Sequence, residues 1–146
     1  NSADRSDPAK NDGYVSLINS DGSERGKGIG ANRNGLELNN PLGSAISNGV
    51  LYAADVNHVR SFDLKTGKPL RSILVPGATF LNGIAVADDG TVYASNTRNP
   101  ELIYKVTPDG ASSVFAESGP ITMPNGVALD GDGNIVVNVG STAVIT

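Results

Sequence analysis

The chain has 146 residues, 38% of them hydrophobic and 18% charged, which is enough apolar material for the core of one domain. Its 11 basic residues are scattered and outnumbered by 15 acidic ones, giving a net charge of −4, so the basic footprint of a nucleic-acid binder is missing; nor does any apolar run approach the roughly 18 residues of a membrane span. There is no cysteine, which excludes disulfides, thiolate metal sites and a cysteine nucleophile together.

Residues 1–12 are polar, carry Pro8 and show no periodicity, so they read as a flexible N-terminal segment. The opening Asn1-Ser2-Ala3-Asp4, without a methionine, suits the start of a processed periplasmic or secreted protein. Gly13 to Gly22 line up with Val59 to Gly67 and with Leu102 to Gly110, and so read as the third strand of a repeat with its turn, after which the Gly- and Asn-rich stretch up to residue 39 supplies a fourth strand and a long connection. Within it, Gly26-Lys27-Gly28-Ile29-Gly30 resembles a phosphate loop only superficially, because the Walker spacing and the strand-to-helix context are both missing.

Residues 40–81 read as a four-stranded unit. Its strands are Ser44 to Ser47, Val50 to Ala54 after an Asn48-Gly49 hairpin turn, His58 to Leu64, and Leu70 to Val75. Residues 82–124 repeat the pattern, with Asp88-Asp89-Gly90 and Pro108-Asp109-Gly110 as the tight reversals. The stretch Asn82-Gly83-Ile84-Ala85-Val86 returns as Asn125-Gly126-Val127-Ala128-Leu129, which opens residues 125–146. This self-similarity at a period of about 43 residues, carried by short strands and Asp-Gly turns, is the signature of one sheet per repeat.

The expected fold is therefore all-β: propeller blades of four antiparallel strands, about three of them in this chain. Residues 13–39 give the outer strands of one blade, 40–81 and 82–124 two whole blades, and 125–146 the inner two or three strands of a last. Rings hold roughly four to eight blades, so either a second copy or another segment is expected to complete this one.

In an up-and-down blade, the start of the first strand, the end of the second and the start of the third lie on one face. That places Asn82 and Asn125 with Asp55, Asn96 and Asn138 around one mouth of the channel. Convergent carbonyl and carboxylate oxygens are what a hard cation such as Ca²⁺ takes, although Asn and Asp at strand ends also cap turns with their own side chains. His58, the only histidine, sits at the same mouth and reads either as a proton acceptor or as a loop residue. Arg98, in the loop after Asn96, reads as a holder of a substrate carboxylate or phosphate or as a solvated side chain. Tyr52 and Tyr93 occupy equivalent second-strand positions and read as packing between blades, and no Gly-x-Ser-x-Gly elbow supports a serine hydrolase.

Pro124-Asn125-Gly126-Val127-Ala128-Leu129-Asp130-Gly131-Asp132-Gly133, Leu51-Tyr52-Ala53-Ala54-Asp55 and Asp89-Gly90-Thr91-Val92-Tyr93-Ala94-Ser95-Asn96 together resemble the SMP-30/gluconolactonase/LRE-like family of six-bladed propellers. NHL-repeat proteins use similar phrases. The resemblance implies a divalent cation, often calcium, in the channel, and hydrolysis of lactones or related esters in the enzymatic members. Asn82 and Asn125 match the family's channel-lining asparagines, which bind metal or substrate. The family's early Glu-Gly-Pro glutamate has no counterpart, since Pro41-Leu42-Gly43-Ser44 stands in the comparable place, and its aspartate ligand in an Asp-Gly phrase is also missing. The sequence thus supports a lactonase-like hydrolase carried as a half-propeller, with a non-enzymatic NHL-type binding module as the alternative.

Overall fold

The structure is a computed structural model that describes residues 10–30, 37–117, 121–140 and 143–145. Most of the expected flexible segment (1–9) and the middle of the Gly- and Asn-rich connection (31–36) lie outside the described residues. Asn11 falls within the expected flexible segment and is already part of the fold. Its backbone N–H donates to Asn39 Oδ1 at 3.0 Å, and its Oδ1 accepts from Leu38 N–H at 2.8 Å.

Thirteen strands appear among the described residues, arranged as four antiparallel sheets in chain order. β1 (Tyr14–Ile18) pairs with β2 (Glu24–Gly30). β3 (Pro41–Ser47), β4 (Val50–Asp55), β5 (His58–Asp63) and β6 (Pro69–Leu74) form a four-stranded meander, here the first whole blade. β7 (Leu81–Val86), β8 (Val92–Asn96), β9 (Leu102–Val106) and β10 (Ser112–Glu117) form the second. β11 (Val127–Leu129), β12 (Ile135–Val137) and β13 (Ala143–Ile145) form the last sheet. Short strands of β-branched and small residues, reversed by Asx-Gly turns, dictate this meander. At Asn48-Gly49 both residues take positive φ, 49° and 76°, as a two-residue hairpin with right-handed strand twist requires.

The apolar faces meet between sheets. Ile29 and Leu38 pack with Leu51, Ala53 and Phe62 of the first blade. That blade's Ala54, Val59 and Val75 share a second layer with Ile84, Val92, Ala94, Leu102, Tyr104 and Val106 of the next. Ile103, Ile135 and Val137 make a third layer between the second blade and the last sheet. Tyr52 and Tyr93 lie at the second and third of these seams, at the same place in successive repeats.

The first strand of each whole blade starts earlier than expected, at Pro41 and Leu81, because a β-bulge interrupts it. Pro41 pairs with Asp55 and Ser44 with Ala53; likewise Leu81 pairs with Asn96 and Ile84 with Ala94. The two bulged residues are Leu42-Gly43 in one blade and Asn82-Gly83 in the other, so the Asn-Gly phrase is the bulge itself. Its glycine is required by the neighbouring blade. A Cβ on Gly43 would stand 2.1 Å from Asn82 O, and one on Gly83 would stand 2.0 Å from Asn125 O. Each blade therefore leans its bulge against the main-chain carbonyl that precedes the next blade's glycine.

Candidate functional site

The register sets Asp55 opposite both Pro41 and His58, and Asn96 opposite both Leu81 and Leu102, which puts these positions in one row at one end of the blades. Two separate polar clusters stand on that end. The sequence-predicted residues divide between them.

The first cluster surrounds Asp55, which is fully buried. Its Oδ1 accepts the backbone N–H groups of Asn39 at 3.0 Å and Asn40 at 2.6 Å, and its Oδ2 accepts Arg60 Nε–H at 2.6 Å. Arg60 is itself buried, donates from Nη1 to Ser72 Oγ at 2.8 Å, and reaches Glu37 Oε1 at 3.4 Å from Nη2. Both oxygens of Asp55 are thus committed to the fold.

His58 is half-buried beside it, with Nδ1 2.7 Å from Asn57 Oδ1. Burial, and next the Arg60 guanidinium, hold its pKa below the ordinary 6.5, against the weaker opposing pull of Glu37 and Asp55. Its neutral form is therefore favoured in the folded chain, so the stabilisation is full above pH 6.5 and is lost as the pH falls from there through the lowered folded pKa. Because His58 is the only histidine, its ring proton signals in an NMR titration need no assignment, and their midpoint is expected below 6.5. A midpoint at or above 6.5 would contradict this environment. Val56, in the two-residue turn between Asp55 and His58, carries φ 59°, an outlying conformation for a β-branched residue. Its carbonyl accepts Leu81 N–H of the next blade at 2.8 Å, which holds the strained turn in place.

The second cluster spans the seam between the second blade and the last sheet. Asn96 is fully buried and stands where Asp55 stands in the first blade. Its Oδ1 accepts the N–H groups of Thr79 at 2.9 Å and Phe80 at 2.8 Å, while its Nδ2 donates to the carbonyls of Arg98, at 2.9 Å, and Pro100. Thr79 Oγ1 adds a bond to Arg98 O at 2.6 Å. One buried amide thus fixes both the segment carrying Phe80 and the loop carrying Arg98. The result is that the exposed Arg98 guanidinium lies 5.5 Å over the Phe80 ring, and no carboxylate pairs with it among the described residues.

Asn82 is half-buried in its bulge and donates from Nδ2 to Thr97 Oγ1 at 3.1 Å; Thr97 in turn donates to Pro124 O at 2.6 Å. Ser95 Oγ accepts Gly83 N–H at 2.8 Å and donates to Asn125 O. Asn125 and Asn138 have exposed side chains, and their backbones bond through Asn125 N–H to Asn138 O at 2.9 Å. The Asn138 amide oxygen lies 2.3 Å from where a Cβ on Gly126 would be. The structure therefore brings Asn82 to the seam with Asn125 and Asn138, sets Asn96 and Arg98 on the same end of the second blade, and leaves Asp55 and His58 in the other cluster.

Phe80, Ser95, Thr97 and Glu101 were not singled out by sequence reasoning. Ser95 and Thr97 flank Asn96 and so carry a positional signal, since residues either side of a strand-end Asx face the neighbouring seam. Glu101 is exposed just before β9, on the same end of the blade.

A calcium ion takes six to eight oxygens, several of them carboxylate. At the second cluster the side chains of Asn82 and Asn125 offer neutral amide oxygens, the Asn125 carbonyl is taken by Ser95, and Asp55 is spent elsewhere. Among the described residues no three His, Cys, Asp or Glu side chains gather as metal ligands. These residues alone do not fit a resident divalent cation. The exposed groups on this end are the Arg98 guanidinium and the Asn125 and Asn138 amides, hydrogen-bond donors of the kind that a carbonyl or carboxylate oxygen accepts from.

No protein-family model matches the chain, and no curated protein matches its sequence. Solved structures do match. Virginiamycin B lyase from Staphylococcus aureus is similar at 18% identity and a TM-score of 0.64, over 86% of this chain and 42% of that one. A streptogramin B lyase structure is similar at 15% identity and a TM-score of 0.66, over 89% of this chain and 42% of that one. Hydrazine synthase of Kuenenia stuttgartiensis is similar at 20% identity and a TM-score of 0.58, over 71% of this chain and 30% of that one. The chain thus spans 42% of the length of either lyase. At these identities the likeness shows the fold, a β-propeller. Among the described residues no helix is long and apolar enough to cross a membrane.

Proposed function

We propose that the seam between the second blade and the last sheet is one side of the ligand mouth of a lactonase-like propeller hydrolase, binding the carbonyl or carboxylate oxygen of a small lactone or ester. The observation that carries the reading is the exposed Arg98 guanidinium, stacked on Phe80 and without an acidic partner among the described residues, on the end of the second blade where Asn82 bonds Thr97. Donors fixed in place before the ligand arrives stabilise an oxygen that gains negative charge as the carbonyl is attacked. The activity is that of a completed ring. Further blades, or a second copy of this chain, would supply the general base and the carboxylates of any channel calcium, for which Asn82 and Asn125 would be the neutral ligands.

Turnover is to be assayed over a panel of sugar and aliphatic lactones and simple esters, with and without chelator. Arg98→Ala is expected to raise KM about tenfold or more, the worth of a lost charged hydrogen bond, and Asn125→Ala to lower kcat/KM. Loss of turnover with chelator would support the cation. Turnover indifferent to both substitutions would remove this seam from the site.

A second reading, a non-enzymatic NHL-type binding module, is favoured by one observation: Asp55, the carboxylate at the end of β4, is engaged by Arg60 and two backbone N–H groups and is not free for chemistry. Binding of hydroxy acids without turnover of any lactone would support it.

A further inference from the structure

We infer that Asn125 is a site of spontaneous covalent modification at the last seam, where its carboxamide closes on the main-chain nitrogen of Gly126 with loss of ammonia. This does not depend on what the ligand mouth binds. The reaction asks for a carboxamide free to move and a following N–H that is not engaged, and glycine leaves that nitrogen unshielded by a Cβ. The chain carries its own comparison, because the same phrase stands in the second blade as Asn82-Gly83.

At Asn82-Gly83 both requirements fail. Gly83 N–H donates to Ser95 Oγ at 2.8 Å, and the Asn82 amide donates to Thr97 Oγ1 at 3.1 Å. In the last sheet Asn138 takes the place of Ser95, since Val137 pairs with Val127 as Ala94 pairs with Ile84. The Asn138 amide oxygen lies where a side chain on Gly126 would begin, and among the described residues the Gly126 N–H has no acceptor. The Asn125 side chain is exposed and makes no hydrogen bond among them. The Ser95 hydroxyl donates to Asn125 O, which draws electron density from the Asn125-Gly126 peptide and makes its N–H more acidic. The crowding that demands glycine at 126 thus preserves the residue that leaves the nitrogen open.

The steps balance with water as the only co-reactant. The Gly126 nitrogen gives up its proton and attacks Asn125 Cγ; the N–Cγ bond forms as the Cγ–Nδ2 bond breaks, and ammonia leaves with that proton. Water then opens the cyclic imide. Addition at Cγ breaks the N–Cγ bond and yields aspartate. Addition at the main-chain carbonyl carbon breaks that C–N bond and yields isoaspartate, whose chain runs through Cβ and Cγ and is longer by one carbon. In the isoaspartate the former Asn125 carbonyl, against which Gly83 packs, becomes a free carboxylate. Both changes fall on the contact between the second blade and the last sheet.

The full chain, held at mildly alkaline pH and then digested with trypsin, tests this by mass spectrometry. Asn82 lies between Arg71 and Arg98 and Asn125 lies beyond Lys105, so the two pairs fall in different peptides. In the folded chain Asn125 is expected to convert to aspartate and isoaspartate about tenfold or more faster than Asn82, the factor that one net hydrogen bond supplies. In urea the two rates are expected to converge, because each Asn precedes a glycine. The isoaspartate-bearing fraction is expected to melt below wild type, whereas Asn125→Asp, which adds the charge without lengthening the chain, is expected to melt as wild type does. Asn125 unconverted in the folded chain, or Asn82 converting there as fast as Asn125, would overturn the site; an isoaspartate fraction with the wild-type midpoint would remove its effect on the seam.

Discussion

Asp55→Ala is expected to destabilise the protein by about 3–5 kcal/mol, because it leaves the Arg60 guanidinium buried without its carboxylate and two backbone N–H groups without an acceptor. Thermal or urea unfolding monitored by circular dichroism measures it. The second blade indicates how the loss can be repaired. There the same place is held by Asn96, and the residue in register with Arg60 is Tyr104: Arg60 faces Ala53 as Tyr104 faces Ala94. Asn96 accepts the two N–H groups of its connection with no ion pair at all. The double change Asp55→Asn with Arg60→Tyr copies that solution and is expected to recover most of the stability, whereas Asp55→Asn alone is expected to recover little. Equal stability of the single and double variants would show that Arg60 costs nothing when left without its carboxylate.

Gly83→Ala is expected to cost about 3 kcal/mol, at the upper end of overpacking, because the new methyl would stand 2.0 Å from a main-chain carbonyl that cannot rotate away. Asn125 O is held by the Ser95 hydroxyl, and its own residue is tied to Asn138, so relief requires the last sheet to move off the second blade. Ile135 and Val137 would then lose their contact with Ile103. Gly131 is the matched control: a Cβ there meets nothing within 4 Å and its φ is not positive, so Gly131→Ala is expected to be neutral or slightly stabilising. A midpoint for Gly83→Ala equal to that of the control would show that the blades are not in contact at the bulge.

Much of the fold was legible because it is built from local signals. Asn48-Gly49, Asp88-Asp89-Gly90 and Pro108-Asp109-Gly110 each specify a reversal within a few residues, and their recurrence specifies the repeat. What could not be read were features that need a second segment. Asn82-Gly83 looked like a strand start with a candidate ligand; that it is a bulge follows only from its pairing with β8, and that it must hold a glycine only from where Asn125 O sits. Arg60 is a charged residue in a strand, and nothing local shows that it is buried against Asp55. Asn96 was placed correctly at the end of its strand, but its hold on Phe80 and Arg98 depends on bonds to residues up to 17 positions away. The gathering of polar side chains at one end was legible from topology alone. Their division into two clusters was not.

The contact at each bulge is made by a carbonyl and a glycine, groups that the side chain beside them does not alter. Leu42, Asn82 and Asn125 occupy equivalent places, and the spacing between blades is held in the last two by the main chain. A residue in such a place is released from that contact, whatever other bonds its side chain makes, as the Asn82 amide does to Thr97. Successive copies of the unit can therefore diverge in that side chain, from leucine to asparagine or beyond, without disturbing their assembly. The scaffold and its chemistry can evolve on separate schedules.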